Sequence, residues 1–228
     1  MSTTTVLDGQ KPHTLAISAV VAHVGSDLDH GLSSSTAAER LLSIGPNKLA
    51  EAKRDPAWKR FLNQFRDVLI MILFVAAIVS FVVSGELKTP IVVLVVVLVN
   101  ALIGFIQENR AEASLEALKK MLTSSTRVRR DGQVMAIPTE NVVPGDVVLV
   151  EAGDRIPADG RLVLAANLEI EEAALTGEST PAEKSIDTVA NPGAPLGDRS
   201  NMTFMNTVVT RGRGEFVVTS TGMATEIG

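Results

Sequence analysis

The sequence predicts a membrane α + β protein, in which a small N-terminal helical unit and a transmembrane helical hairpin precede a β-rich cytosolic domain. Three observations lead to this fold class. Two long apolar runs carry no charged residue. Beyond Thr126 the apolar residues change from a helical to a strand period. Basic residues flank the apolar runs but are nearly absent between them, a pattern typical of membrane proteins.

Composition narrows the classes of protein that the chain can represent. Mean hydropathy is positive although aromatic residues make up only 4% of the chain, which favours a membrane segment over a large soluble core. The absence of cysteine excludes disulfides and thiolate metal sites. With a net charge of −5 and no basic stripe, we expect no nucleic-acid partner. The three histidines share no ligand-like spacing, so we expect no metal site and no bound cofactor.

The N-terminal quarter divides into a tail and a helical domain. Residues 1–12 are rich in threonine and lack a pattern, and we expect them to be disordered. Residues 13–57 are assigned to the helical domain. A short helix over His13 to Val24 is followed by a second helix, for which Thr36 and Glu39 fit a capping box. The segment from Gly45 to Asn47 is expected to end that helix.

Residues 58–106 are predicted to form an interfacial helix and a transmembrane hairpin. In the interfacial helix, Trp58 and Phe61 lie on one face and basic residues on the other. The spans cover about residues 67–84 and 90–106. The alternative, two buried helices of a soluble core, is disfavoured because a small domain would hardly cover both. Asn100, at membrane depth, could serve a bond between helices or an ion path.

The basic residues also predict the orientation of the hairpin. Only Lys88 lies between the two runs, so both the N-terminus and residues 107–228 are expected in the cytosol. Residues 107–125 keep a helical period and extend the second span into the cytosol. From Pro90 to Leu122 this makes a rod of roughly 50 Å. The rod could transmit movement or act as a passive spacer, and the sequence leaves both open.

Residues 126–228 are predicted to form the β-rich domain. Asp131-Gly132 is a strong hairpin turn between two short strands. Asp146, Asp154 and Asp159 stand at later turns, where we expect their carboxylates to accept hydrogen bonds from nearby N–H groups. A last pair of strands, Phe204 to Thr210 and Glu215 to Thr219, is expected around the turn at residues 211–214.

One loop of this domain, Thr176-Gly177-Glu178-Ser179, is the candidate functional site. It is predicted to be an exposed turn with the Glu178 carboxylate at its tip. Gly177 allows a positive φ or a close approach to a partner, and the two hydroxyl residues can brace the backbone. Such a loop can carry a carboxylate into the active site of another domain. The alternative is an ordinary solvated turn.

Several motifs together resemble P-type cation-transporting ATPases. The loop at residues 176–179, preceded by Pro144-Gly145-Asp146 and by residues 153–159, resembles the actuator domain of these pumps. Residues 31–33 and 45–49 resemble the N-terminal domain of type II pumps, and residues 100–112 resemble their second transmembrane helix. The closing segment 225–228 resembles the stretch before their third helix. The nearest branch is calcium-pump-like. The resemblance implies an actuator domain, a distorted jelly roll, over residues 126–228.

The resemblance also implies a mechanism and a set of partners. An aspartate elsewhere in such pumps takes the γ-phosphoryl group of ATP, and the carboxylate matching Glu178 positions and deprotonates the water that hydrolyses the acyl phosphate. Thr176, Gly177 and Ser179 would shape the loop. ATP and Mg²⁺ are implied for the full-length pump. The implied partners are the lipid bilayer, the phosphorylation and nucleotide-binding domains, the remaining helices and a transported cation, with Ca²⁺ suggested by the branch. The implied location is a multi-pass position in the plasma membrane.

A second reading stays open. The chain contains no Asp-Lys-Thr-Gly-Thr phosphorylation motif, so alone it is expected to be inactive. It could be the N-terminal part of a pump or a catalytically incomplete, membrane-anchored interaction module. Reading the coding sequence beyond Gly228 for a third span and that motif would separate the two.

Overall fold

A computed structural model describes residues 11–50, 56–66, 68–85, 87–121 and 124–228. These residues fall into two compact units, one formed by the segments 11–50 and 124–228, the other by the segment between them. The predicted disordered tail lies outside the described residues as far as residue 10. Its last residue, Pro12, begins a short 3-10 helix over Pro12–Thr14.

Two helices, α1 (Ile17–His23) and α2 (Ser34–Ile44), open the first unit. The capping box predicted at Thr36 is wrong. The N-cap of α2 is Ser33, whose hydroxyl accepts a hydrogen bond of 3.1 Å from the backbone N–H of Thr36. Because Ser33 supplies the capping oxygen, the helix begins three residues earlier and Thr36 lies in its first turn. The predicted end is confirmed, since Gly45 follows the helix with a φ of 94°.

Seven strands form one antiparallel sheet in the order β2-β1-β3-β7-β4-β5, with β6 paired beside β4. The strands are β1 (Ser125–Arg130), β2 (Gln133–Pro138), β3 (Val147–Glu151), β4 (Asp159–Glu171), β5 (Ala182–Glu183), β6 (Met202–Thr203) and β7 (Val208–Ser220). A four-residue helix, α6 (Ala173–Thr176), follows β4. The core of the sheet is aliphatic around the buried ring of Phe216. The β-rich region expected after Thr126 is thus confirmed.

The N-terminal helices pack on this sheet. Leu32 forms a parallel bridge with Arg130, and the backbone N–H of Ser34 donates to the carboxylate of Asp131 at 3.0 Å. The buried side chain of Asn47 donates to the carbonyl of Pro157 at 2.8 Å and accepts from the N–H of Gly222 at 2.8 Å. The domain boundaries drawn from the sequence stay a prediction, but residues 11–50 share one compact unit with the sheet.

The sequence predicted two hairpin turns in this region, and the structure confirms only the first. Asp131 and Gly132 adopt φ values of 50° and 74° between β1 and β2, as a two-residue hairpin requires, so that prediction is confirmed. The predicted final hairpin is wrong, because β7 runs unbroken through residues 211–214. At Gly212, with a φ of 76°, the strand passes so close to Asn167 of β4 that a bulge replaces the turn.

The three aspartates at predicted turns differ in where their hydrogen-bond donors lie along the chain. Asp146 accepts a hydrogen bond from the N–H of Val143 at 2.9 Å, and Asp154 accepts one from Glu151 at 2.9 Å, which confirms local turn chemistry for both. The buried Asp159 instead accepts from Met205, 46 residues away, and from Glu226, 67 residues away. The expectation of nearby donors is wrong for Asp159, which joins distant segments at the start of β4.

The second unit is helical. It contains α3 (Ala57–Asn63), a 3-10 turn over Gln64–Arg66, α4 (Val68–Ser84) and α5 (Lys88–Met121). Helix α4 contacts α5, and the ring centroids of Phe61 and Phe105 lie 6.0 Å apart. Helix α5 is continuous over 34 residues, or about 51 Å, which confirms that the second apolar run and the charged segment after it form one helix.

Among the described residues of this unit, one helix is long and apolar enough to cross a membrane, the segment Pro90–Leu115 of α5. Helix α4 has 17 residues, about 26 Å, and is shorter than a hydrocarbon core of about 30 Å. It supplies a second candidate only if it is counted as one span with the preceding helical segment, from which it is bent by 61°. The transmembrane hairpin therefore stays a prediction, as do the interfacial role of α3 and both uses of the exposed Asn100.

Candidate functional site

The candidate loop begins on the short helix α6. Thr176 is its last residue, and the N–H of Gly177 donates to the carbonyl of Ala173 at 2.9 Å. Gly177 has φ 77° and ψ 0°, a left-handed conformation that a side chain would strain. Of the two uses weighed for Gly177, the structure shows the positive φ. The chain thus turns sharply off α6 just before Glu178.

Thr176 braces this turn from both sides. Its hydroxyl donates to the carbonyl of Glu172 at 3.1 Å and accepts from the N–H of Glu178 at 3.2 Å. One hydroxyl therefore joins the start of α6 to the residue after the turn. The half-buried side chain of Thr176 also lies against Gly197, where an added Cβ would be 3.6 Å from the Thr176 methyl group.

Glu178 lies at the exposed tip of the loop. The neighbouring residues Gly177, Ser179 and Thr180 are exposed as well. A carboxylate in this position can accept a proton or orient a water molecule for a group outside its own domain. The backbone that carries it is nevertheless held by the hydrogen bonds of Thr176 and Gly177.

The two ends of the loop are pinned to each other by the sheet. Strand β4 leads into the loop and β5 leads out of it, and the two strands pair antiparallel with Ile170 opposite Ala182. One residue farther on, the N–H of Lys184 donates to the carbonyl of Leu168 at 2.9 Å. The excursion from Glu172 to Pro181 therefore leaves and returns at adjacent positions, which limits how far its tip can move.

A buried ion pair, which the sequence analysis missed, lies at the base of the loop. Lys184 Nζ is 2.5 Å from Glu172 Oε1, and the two side chains are 0% and 2% exposed. Lys184 Nζ also lies 5.5 Å from the centroid of the Phe204 ring. The alternation of inward-facing and outward-facing residues along β4 could have indicated the buried position of Glu172. Because Leu168 and Ile170 face inward and Glu171 outward, the alternation directs Glu172 to the interior.

Burial shifts the pKa of both members of this pair. It raises the pKa of Glu172 and lowers the pKa of Lys184, since the apolar surroundings disfavour each charged form. The attraction between the two groups opposes both shifts. Each charge thus depends on the other to remain ionised in the interior.

Comparison with known proteins assigns the two regions that contain these features. Residues 120–228 match the model of the P-type ATPase actuator domain. Residues 12–80 match the model of the cation transporter/ATPase N-terminus. The chain belongs to the P-type cation-transporting ATPases. Residues 173–183, with Glu178 at their tip, lie within the matched actuator domain.

Curated P-type ATPases match almost the whole chain. Calcium-transporting ATPase 1 of Bacillus cereus is 48% identical over 205 residues, which are 87% of this chain and 23% of that protein. Probable cation-transporting ATPase F of Mycobacterium tuberculosis is 45% identical over 219 residues, 95% of this chain and 24% of that protein. The calcium-transporting ATPase of Bacillus subtilis is 42% identical over 218 residues, 96% of this chain and 24% of that protein. The chain thus spans about a quarter of the length of these P-type ATPases.

The side chains of this P-type ATPase chain show whether they form a cluster that could bind a metal ion. Among the residues that the structure describes, no group of three or more His, Asp or Glu side chains could hold a metal ion. The chain also has no Asp-Lys-Thr-Gly-Thr sequence to accept a phosphoryl group. In the described part of the chain, Glu178 is therefore an exposed carboxylate that belongs to no such group of side chains.

Proposed function

We propose that this chain acts as the N-terminal part of an ATP-driven cation pump, in which Glu178 promotes hydrolysis of an aspartyl phosphate on another part of the pump. The observation that carries the proposal is an exposed carboxylate on a loop with a fixed backbone. Glu178 is exposed, whereas Thr176 and Gly177 hold its backbone and adjacent strands hold both ends of the loop.

The chemistry assigned to Glu178 is general base catalysis. Its carboxylate would orient a water molecule in line with the phosphorus atom and take a proton as the water oxygen attacks. The bond between phosphorus and the aspartyl oxygen would break, releasing inorganic phosphate and the free aspartate. Phosphoryl transfer depends mainly on positioning and electrostatics, so the fixed backbone at Thr176 and Gly177 matters as much as the acid.

The remaining parts of the reaction would come from polypeptide outside this sequence. ATP, Mg²⁺ and the phosphorylated aspartate would be held by the phosphorylation and nucleotide-binding domains. In the actuator domain, residues 176–179 would close on the acyl phosphate once it has formed. The domain's movement would then be passed to the helices that gate the cation path.

The membrane assignment is part of the same proposal. Helix α5 contains a segment long and apolar enough to span a bilayer, and many apolar side chains of α4 and α5 are exposed, including Val75, Val92 and Leu102. Lipid or further helices would cover such a surface. We place α4 and α5 as a hairpin in the cell membrane with both flanks cytosolic. Several relatives are named calcium-transporting ATPases, so Ca²⁺ is the first cation to test.

The test is the decay of the phosphoenzyme in the pump polypeptide that carries this chain. With Glu178→Gln, phosphoenzyme should form from radiolabelled ATP at the normal rate and decay at least about 100-fold more slowly, because the base is lost. Glu183→Gln, which removes an exposed carboxylate on β5, is the matched control and should decay normally. Normal decay of the Glu178→Gln phosphoenzyme would remove Glu178 from the mechanism.

A further inference from the structure

The ion pair between Glu172 and Lys184 brackets the loop symmetrically, six residues before and six residues after Glu178. It is more deeply buried than the Arg129–Glu215 pair, whose side chains are 19% and 23% exposed. Beyond their mutual contact, the structure shows no hydrogen bond from another described residue to either charged group. Stability alone does not explain such a pair, because two well-packed apolar side chains at the same positions often stabilise a fold equally well.

The backbone of Glu172 is bonded to α6, and the backbone of Lys184 is bonded to β4. The carbonyl of Glu172 accepts from the N–H groups of Leu175 and Thr176, both at 2.9 Å, and from the Thr176 hydroxyl at 3.1 Å. The N–H of Lys184 donates to Leu168 on β4 at 2.9 Å. The side-chain contact thus lies where the β4–β5 pairing ends and ties the start of α6 to the chain returning from the loop.

The short β4–β5 pairing gives this contact its importance. Strand β5 has only two residues, and most of the loop from Gly177 to Pro181 is exposed. Few backbone bonds therefore hold the returning chain. A buried charge cannot move far from its partner without leaving both charges unpaired in the interior. Displacement of α6 would therefore separate two buried charges, a cost that apolar contacts of similar size do not carry.

We infer that Glu172 and Lys184 are positioning residues, whose buried contact fixes α6 and thereby holds Glu178 where it meets the phosphorylated group. The role in dephosphorylation rests on the proposed function, whereas the fixing of α6 does not. Neither residue touches the reacting atoms. The path runs from the ion pair to the Glu172 carbonyl, through the Thr176 hydroxyl, to the N–H of Glu178.

The decisive variant is the double substitution Glu172→Gln/Lys184→Met. It removes both charges and keeps similar volumes, so it avoids the unpaired buried charge that either single substitution would leave. Its matched control is Arg129→Met/Glu215→Gln, which removes an ion pair between β1 and β7 outside the loop. A conservative variant, Glu172→Asp, keeps both charges but shortens the acid by one methylene.

The first measurement is hydrogen exchange on the 228-residue chain in detergent. In the double variant, the amides of Leu175, Thr176 and Gly177 should exchange at least about tenfold faster, while the amide of Val218 in β7 keeps its rate. Glu172→Asp should give a smaller increase, and the control pair should give none in the loop. Unchanged exchange in the loop would overturn the inference. Faster exchange throughout the sheet would overturn it too, since the pair would then support the whole domain.

The second measurement is phosphoenzyme formation and decay in the pump polypeptide. The double variant should form phosphoenzyme normally and dephosphorylate about tenfold more slowly, a split that general destabilisation would not produce. Normal decay in the double variant, with slow decay in Glu178→Gln, would refute the positioning role while the proposed function stands. Normal decay in Glu178→Gln would refute the proposed function, and hydrogen exchange alone would then decide whether the pair fixes α6.

Discussion

Asp159 is a buried acid whose carboxylate accepts hydrogen bonds from two distant segments. Both oxygens bond backbone N–H groups, one from Met205 at 2.7 Å and one from Glu226 at 2.7 Å. Burial nevertheless raises the pKa of Asp159 from its ordinary value of 3.8 to about 6. The charge of Glu226 adds to the increase, while the two hydrogen bonds and Arg199 oppose it. At this residue desolvation outweighs hydrogen bonding.

The raised pKa predicts a pH dependence of stability. Between pH 3.8 and about 6 the folded chain binds more protons at Asp159 than the unfolded chain does, so the stability that this group contributes is present at low pH and is lost as the pH rises through 6. The total change is about 3 kcal/mol. It should appear when the unfolding free energy of Asp159→Asn is subtracted from that of the wild type, measured in detergent from about pH 4 to 7.

Subtraction makes this prediction specific to Asp159, because all other titrating groups are common to both proteins. The amide introduced by Asp159→Asn does not titrate and leaves one of the two N–H groups poorly paired, so the variant should be the less stable protein at low pH. The difference in unfolding free energy between the wild type and the variant should then decrease toward neutral pH. If this difference in unfolding free energy instead increased with pH, the pKa of Asp159 would be lowered in the folded chain.

Glu172 and Lys184 illustrate at the residue scale which parts of the site a sequence reveals. The exposed loop was predicted because Gly177 and the hydroxyl residues around Glu178 have strong local preferences. The buried pair depends on a contact across 12 positions of the chain, and each charge alone resembles a surface residue. Only the alternation along β4 indicated an inward Glu172, and nothing local indicated which base would meet it.

At the element scale, local patterns predicted the features that local chemistry determines. The β1–β2 hairpin follows from Asp131-Gly132, and the continuous α5 follows from a helical period that persists beyond the apolar run. The unbroken β7 could not be predicted in this way. Two glycines among arginines resemble a turn, and only the partner strand β4 shows that the chain continues through them as a bulge.

Gly212 should therefore be sensitive to substitution in a way that its sequence context does not suggest. A Cβ at this position would lie 2.1 Å from the carbonyl oxygen of Asn167, and the φ of 76° is strained for any side chain. We expect Gly212→Ala to lower the unfolding free energy by about 1–3 kcal/mol. Urea unfolding followed by far-UV circular dichroism would measure the loss.

Gly193 is the matched control for that substitution. It lies exposed in the coil after β5, and an added Cβ would meet only the Asn191 side chain at 3.4 Å. Gly193→Ala should change the unfolding free energy by less than about 0.5 kcal/mol. Equal effects at the two glycines would contradict the bulge at Gly212.

At the scale of the whole molecule, the chain combines two units with different requirements. The sheet unit buries its apolar side chains in a core of its own, whereas the helical unit leaves apolar side chains such as Val82 and Val99 exposed. The first can be stable in water, and the second needs lipid or further helices around it. A division of this kind suits the proposed pump, in which the chemistry would take place in the cytosol and the transport in the membrane.

The lack of cysteine allows a direct test of the proposed topology. Leu87, which is 61% exposed between α4 and α5, and Ser200, in the sheet unit, can each be replaced by the only cysteine of the chain. In intact cells a membrane-impermeant maleimide should label Leu87→Cys, because the proposed hairpin places the connection outside. Ser200→Cys should be labelled only after the cells are opened, since the proposed topology, based on the basic residues around the hairpin, places both flanks in the cytosol.

The labelling pattern separates the alternatives left open by the helices. Residues 11–50 and the sheet form one compact unit and therefore lie on the same side of the membrane. If neither α4 nor α5 crossed it, Leu87→Cys would stay protected in intact cells, together with Ser200→Cys and a third cysteine at the 66% exposed Trp58. The hairpin predicts protection of Trp58→Cys in intact cells. Labelling of all three positions from outside would contradict any arrangement in which the sheet unit meets a phosphorylated domain in the cytosol, because Glu178 would then lie on the wrong side of the membrane.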